Sequence, residues 1–98
     1  MQVELLRGAE ADLLENYVRL EDLRNGLGDR FYHTIDYALE RIRQYPEIAP
    51  VYQGPYRRLV VRAFGCGIFY AVEGQRVIVG AILDLRRDPN SIRRRLLG

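Results

Sequence analysis

Residues 56–85, YRRLVVRAFGCGIFYAVEGQRVIVGAILDL, decide the fold. Three runs rich in β-branched and aromatic residues, Tyr56 to Phe64, Gly67 to Glu73 and Arg76 to Leu85, are separated only by Gly65-Cys66-Gly67 and by Gly74-Gln75. Links this short turn the chain back on itself, so the runs predict a three-stranded antiparallel meander. Alternation with a period of two puts Leu59, Val61 and Ala63, then Ile68, Tyr70 and Val72, then Val77, Val79, Ala81, Leu83 and Leu85 on the expected core faces. The opposite faces carry Arg58, Val60, Arg62 and Phe64 on the first run, Phe69 on the second, and Ile78, Ile82, Asp84 and Arg86 on the third.

Upstream, the period changes. Val3 to Arg7 is a short apolar stretch ended by Gly8, which suits a first strand. From Ala9 to about Arg24 the pattern is helical, with Leu13, Leu14, Tyr17, Val18 and Leu20 on one broad stripe. Asn25-Gly26 stops it. A second helix runs from about Leu27 to Tyr45, where Phe31, Ile35, Ala38, Ile42 and Tyr45 keep helical spacing until Pro46 ends it. The short connection makes the two helices an antiparallel hairpin. Downstream, Asp88-Pro89-Asn90-Ser91 has helix-start character and leads into a short basic helix or tail over residues 92–97. The order predicts a single α+β domain over residues 1–98: N-terminal strand, helical hairpin, three-stranded antiparallel meander, short C-terminal helix or tail.

Composition narrows the chemistry. Ninety-eight residues allow one core, and no run is long and apolar enough for a membrane span or a signal peptide, so a cytoplasmic protein is expected. All fifteen basic side chains are arginine, which removes every lysine-based general base or Schiff-base mechanism. Residues 1–50 hold ten acids against six arginines, a net of −4, whereas residues 51–98 hold nine arginines against Glu73, Asp84 and Asp88, a net of +6. Cys66 is the single cysteine and His33 the single histidine, so neither a disulfide nor a zinc set is expected, and no cofactor motif is present.

The candidate functional residues are therefore the arginines of the second half. Arg58 and Arg62, four apart on a strand, share a face about 13–14 Å apart, with Arg86 and Arg87 at the end of the last strand and Arg93-Arg94-Arg95 in the tail. They form either a patch for an acidic partner or polyanion, or ordinary solubilising charge paired locally with Asp84, Asp88 or Glu73. Val60, Phe64, Phe69, Ile78 and Ile82 among them would leave a second apolar sheet face in need of a cover, which favours protein binding. The seven tyrosines read mainly as core-edge residues with wet hydroxyls.

Ala9-Glu10-Ala11-Asp12-Leu13, Phe31, Pro46, Arg57-Arg58-Leu59, Phe64, Ile68-Phe69-Tyr70-Ala71-Val72, the run 77–82 and Leu85-Arg86-Arg87-Asp88-Pro89 together resemble the RelE/ParE superfamily of bacterial type II toxin–antitoxin, or plasmid stabilisation, toxins. One departure is Asp84, where many relatives have histidine. For the RelE-like branch, ribosome-dependent mRNA endonucleases, the resemblance implies two lysines and an arginine on successive strands, a second arginine and a tyrosine near the C-terminus. In their places stand Arg58, Val60 and Gly67; Arg87 is kept, and Arg93 is near the place of the tyrosine. Moving a proton at a ribose oxygen needs groups that exchange protons, which arginine does not do. The resemblance therefore points to the ParE-like branch, whose members poison DNA gyrase as protein–protein inhibitors without being enzymes. It implies a cognate antitoxin with an acidic, apolar-studded C-terminal segment, in a toxin–antitoxin hetero-oligomer. The surface expected to meet antitoxin or target is Arg58, Val60, Arg62, Phe64, Phe69, Ile82, Arg86, Arg87, Arg93 and Arg94. The alternatives are an arginine-only nuclease using Arg58, Arg62 and Arg87, with ribosome and mRNA as partners, and an inactive member that only forms the complex.

Overall fold

The computed structural model describes all 98 residues, Met1–Gly98. Strand β1 (Gln2–Leu5) is followed by helices α1 (Arg7–Leu23) and α2 (Leu27–Gln44). Strands β2 (Val51–Gln53), β3 (Tyr56–Val61), β4 (Cys66–Glu73) and β5 (Arg76–Asp84) and helix α3 (Pro89–Leu97) complete the α+β domain. The five-stranded sheet has the order β1-β5-β4-β3-β2. β2 to β5 run antiparallel to their neighbours and β1 alone pairs in parallel, with β5.

The helical hairpin closes on two short-range devices. Both oxygens of Glu21 accept backbone N–H groups from the turn, Gly26 and Gly28, each at 2.9 Å, which satisfies donors the first turn of α2 would leave free. A Cβ on Gly28 would stand 2.7 Å from the Tyr17 carbonyl oxygen, so only glycine lets the helices come this close. α2 then buries Phe31, Ile35, Ala38 and Ile42 against Ile68, Tyr70, Val77 and Val79 of the sheet, whereas Tyr45, expected on the same stripe, falls just past the end of the helix and is exposed. The Tyr70 hydroxyl donates to the Pro46 carbonyl at 2.8 Å, so this buried ring has a polar partner.

α1 departs from the expected stripe. Its inward residues are Ala9, Asp12 and Leu20, while Leu14 and Val18 are exposed. The reason is the sheet edge: β1 covers β5 only as far as Val79, and beyond it the Ile82 N–H needs another acceptor. Asp12 Oδ2 provides one at 2.9 Å, which requires α1 to turn a carboxylate, not a leucine, inward.

The sheet faces also depart from the expected alternation in two places. β3 ends at Val61, and Arg62–Phe64 form a 3-10 turn closed by Gly65 at φ 61°. In β5 the register slips between Val79 and Ala81, opposite Tyr70 and Phe69, leaving Gly80 unmatched. A one-residue bulge reverses the faces that follow it. Val77, Val79 and Ile82 therefore join the helix-side core, whereas Ala81 and Leu83 turn to the other side. There they pack with Phe69 under Ile92 and Leu96 of α3, flanked by Tyr52, Tyr56 and Leu85. Asp88 starts α3 by accepting the Asn90 N–H at 3.0 Å, with Pro89 in the first turn. The second apolar face of the sheet is thus covered by the chain's own C-terminus.

Candidate interaction surface

The bulge, the 3-10 turn and α3 rearrange the residues expected on one surface. Phe69 and Ile82 are fully buried, Phe69 beneath α3 and Ile82 on the helix side. Neither is available to a partner. Phe64, carried off the strand by the turn, lies edge-on to Phe31 with ring centroids 5.3 Å apart, on the helix side of the sheet. Arg62 is exposed in that turn and not on the strand face with Arg58.

Arg58 and Val60 keep their expected places. Arg58 sits opposite Phe69, on the α3 side, with its guanidinium carbon 4.8 Å from the Tyr52 ring centroid. Tyr52 in turn stands edge-on to Phe69 at 5.3 Å. Stacking on an aromatic face fixes the guanidinium plane while leaving its N–H edge for an acceptor. Val60 is exposed beside it.

The C-terminal arginines divide by partner. Arg86 binds Asp84 through Nε to Oδ1 at 3.0 Å and Nη2 to Oδ2 at 2.7 Å. These bonds, together with the Arg86 backbone N–H, lower the Asp84 carboxyl to about 2. Arg86 is therefore spent on its own neighbour. Arg87 has only the Ser91 hydroxyl at 3.4 Å, and Arg93 only the Asn90 side-chain oxygen at 3.0 Å. Arg94 is exposed and in no ion pair.

Three charged residues outside the expected set come together. Arg95 of α3 binds Asp12 of α1 through two parallel bonds, 3.0 and 2.8 Å, across 83 positions of sequence. Asp12 is only 7% exposed and also holds Ile82, so one carboxylate ties α1, β5 and α3 together. Arg19, one turn and more along α1, lines the same recess of about 300 Å³ with Arg87, Arg95, Glu15 and Asp84. The sequence signals for this cluster are an aspartate among the apolar residues of α1 and the basic run Arg93-Arg94-Arg95, in which nothing singles out Arg95; Arg19 carries none.

A second concavity is apolar. Leu5, Leu13, Leu14, Tyr17 and Tyr32 line a groove of about 520 Å³ between β1 and the helical hairpin, with Glu10 at its rim. The Tyr17 hydroxyl donates to Asp29 Oδ1 at 2.7 Å, which raises its pKa. No helix is long and apolar enough to cross a membrane.

Cys66 is buried beside Asp84, and burial first, then that carboxylate, pushes its thiol up to about 11. At pH 8 about a thousandth of it would be thiolate. Iodoacetamide at pH 8 is expected to leave Cys66 unmodified in the folded chain and to label it fully in 6 M guanidinium, as read by intact mass. Fast labelling of the folded chain would contradict this placement.

Compared with known proteins, residues 3–89 match the family model described as the ParE toxin of the type II toxin–antitoxin system, parDE. Among solved structures, the chain is similar to one titled as the chromosomal ParDE TA system from P. aeruginosa. The TM-score is 0.67 at 16% identity, over 88% of this chain and 97% of that one. At that identity the likeness is one of fold. No curated protein matches.

Proposed function

The chain belongs to the ParE toxin family of type II toxin–antitoxin systems, and from that premise we propose that it inhibits DNA gyrase by protein–protein contact and is held inactive by a co-encoded antitoxin. The observation that carries the non-enzymatic part is the content of the three strand positions where the nuclease branch would keep its reactive set. Arg58 is stacked on Tyr52, Val60 is an exposed hydrocarbon, and Gly67 is buried. Leu85, Phe69 and Arg58 crowd the space a side chain at Gly67 would need, the nearest atom being 2.9 Å from its missing Cβ. None of these groups exchanges a proton near neutral pH. The activity left to this surface is binding.

The antitoxin surface we propose is what remains open of the expected set: Arg58 and Val60 on β3, Arg62 in the turn that follows, and Arg87, Arg93 and Arg94 at the C-terminus, Arg86 being held by Asp84. Charges of one sign with an apolar member suit an acidic, apolar-studded segment. Reversing two of them, R58E with R62E, is expected to weaken antitoxin binding at least tenfold by titration calorimetry, with the loss shrinking as salt rises. Unchanged affinity would remove this patch from the interface. The reading puts the protein in the cytoplasm, in a hetero-oligomer with its antitoxin.

Inducing the chain without its antitoxin tests the function. Growth arrest with DNA-damage signalling and relaxed plasmid DNA is expected. Rapid translation arrest with codon-linked mRNA cuts would overturn the reading in favour of the nuclease. Absence of any arrest would leave a member that only forms the complex.

A further inference from the structure

The recess between α1, the end of β5 and α3 is lined by Asp12, Glu15 and Asp84 against Arg19, Arg87 and Arg95. Charges that look balanced are not evenly engaged. Asp12 has both oxygens on Arg95 and one of them also on the Ile82 N–H. Asp84 has both oxygens on Arg86, which is not part of the recess lining. Two of the three acids, and Arg95, are therefore already held in ion pairs of their own.

Arg19 and Arg87 are left with neutral acceptors alone. Arg19 donates to the Asn16 side-chain oxygen at 3.1 Å, and Arg87 to the Ser91 hydroxyl at 3.4 Å, a long and easily surrendered contact. A guanidinium carries five N–H donors in a planar fork, so each keeps unused donors in a recess of about 300 Å³. Glu15 lies at the same recess, four residues before Arg19, and is in no ion pair.

We infer that this recess receives one carboxylate side chain of the antitoxin, held between Arg19 and Arg87. The inference rests on the toxin reading above and adds to it a site that joins the acidic hairpin to the basic C-terminus. A single carboxylate matches two forks by paired, charge-assisted hydrogen bonds. A nucleic-acid backbone fits less well, because its neighbouring phosphates would meet Glu15 and the carboxylates around it. The rigid Asp12–Arg95 pair forms the wall against which the incoming group is placed.

The test is the affinity of the full chain for its co-encoded antitoxin, measured by calorimetry alongside circular dichroism. R19Q and R87Q are each expected to weaken binding about tenfold, the double variant more, and the lysine variants less than the glutamines because charge is kept. E15Q should strengthen binding by about two- to fivefold, since it removes the one unpaired acid at the recess. A merely structural role for these residues would not produce gains and losses of opposite sign. An R19Q/R87Q chain bound within twofold of wild type, or weaker binding by E15Q, would overturn the inference. So would unchanged antitoxin affinity together with lost binding of a single-stranded RNA, which would assign the recess to nucleic acid. If the double variant does not fold, E15Q and the lysine variants decide. A wild-type chain that causes no arrest and binds no antitoxin contradicts the function itself; a wild type that binds while its variants bind equally contradicts only the recess.

Discussion

Replacing Asp12 by alanine is expected to cost the fold about 3 kcal/mol, a large share of the stability of a small domain. The cost has two parts. Arg95 keeps a guanidinium about one-third exposed with no counter-charge, and the Ile82 N–H at the bare edge of β5 loses its acceptor. D12N should fall between, since its side-chain oxygen can still accept from Ile82 while the charge is lost. Adding R95M to D12A should cost less than the two single changes summed, because the stranded cation is removed with its partner. Urea midpoints of the wild type and of D12A, D12N, R95M and the double variant measure this. A D12A chain within about 0.5 kcal/mol of wild type, the range of ordinary surface changes, would mean that the carboxylate does not hold α1, β5 and α3 together.

Phe69→Ala is expected to cost about 3–5 kcal/mol, the range for emptying a core phenylalanine site. The ring is fully buried among Ala81, Leu83, Ile92 and Leu96, with Tyr52 edge-on to it. Val60→Ala, two β3 positions beyond Arg58, the partner of Phe69, and exposed, should change stability by less than about 0.5 kcal/mol. The contrast separates the covered part of this sheet face from the part open to a partner. Equal, small effects at both positions would mean that α3 does not cover Phe69. Where F69A lowers antitoxin binding, the loss should follow the unfolded fraction and not a changed interface.

The order of elements was legible because its signals are local. Glycine-bearing links delimit the strands of the meander, and Phe31, Ile35, Ala38 and Ile42 follow helical spacing and are all buried. Face assignments failed where a long-range fact overrode the local period. In α1 the pattern of leucines and Val18 suggested an inward stripe, but the acceptor need of a strand 70 residues away turned Asp12 inward. In β5 the alternation is regular to the eye, yet the bulge at Gly80 reverses it. What position 80 requires is visible only in space: a Cβ at Gly80 would lie 2.8 Å from the Tyr56 ring. β2, three residues long, is too short for a period to show.

The surface was partly legible for the same reason. That the second half is basic follows from counting, and Arg58, Val60, Arg62, Arg87, Arg93 and Arg94 are indeed exposed or half-buried. That Arg86 is spent on Asp84 depends on a contact between close neighbours that residue types alone merely permit. The joining of Arg19 with Arg87 and Arg95 has no local signature, because three separate elements supply it.

Whether the chain is a gyrase-directed toxin without nuclease chemistry is tested most directly by adding it, purified, to purified gyrase and relaxed plasmid. The expected result is loss of ATP-dependent supercoiling in proportion to added chain, restored by the antitoxin. Full supercoiling at excess chain, with codon-linked mRNA cleavage in a translating ribosome assay, would contradict it.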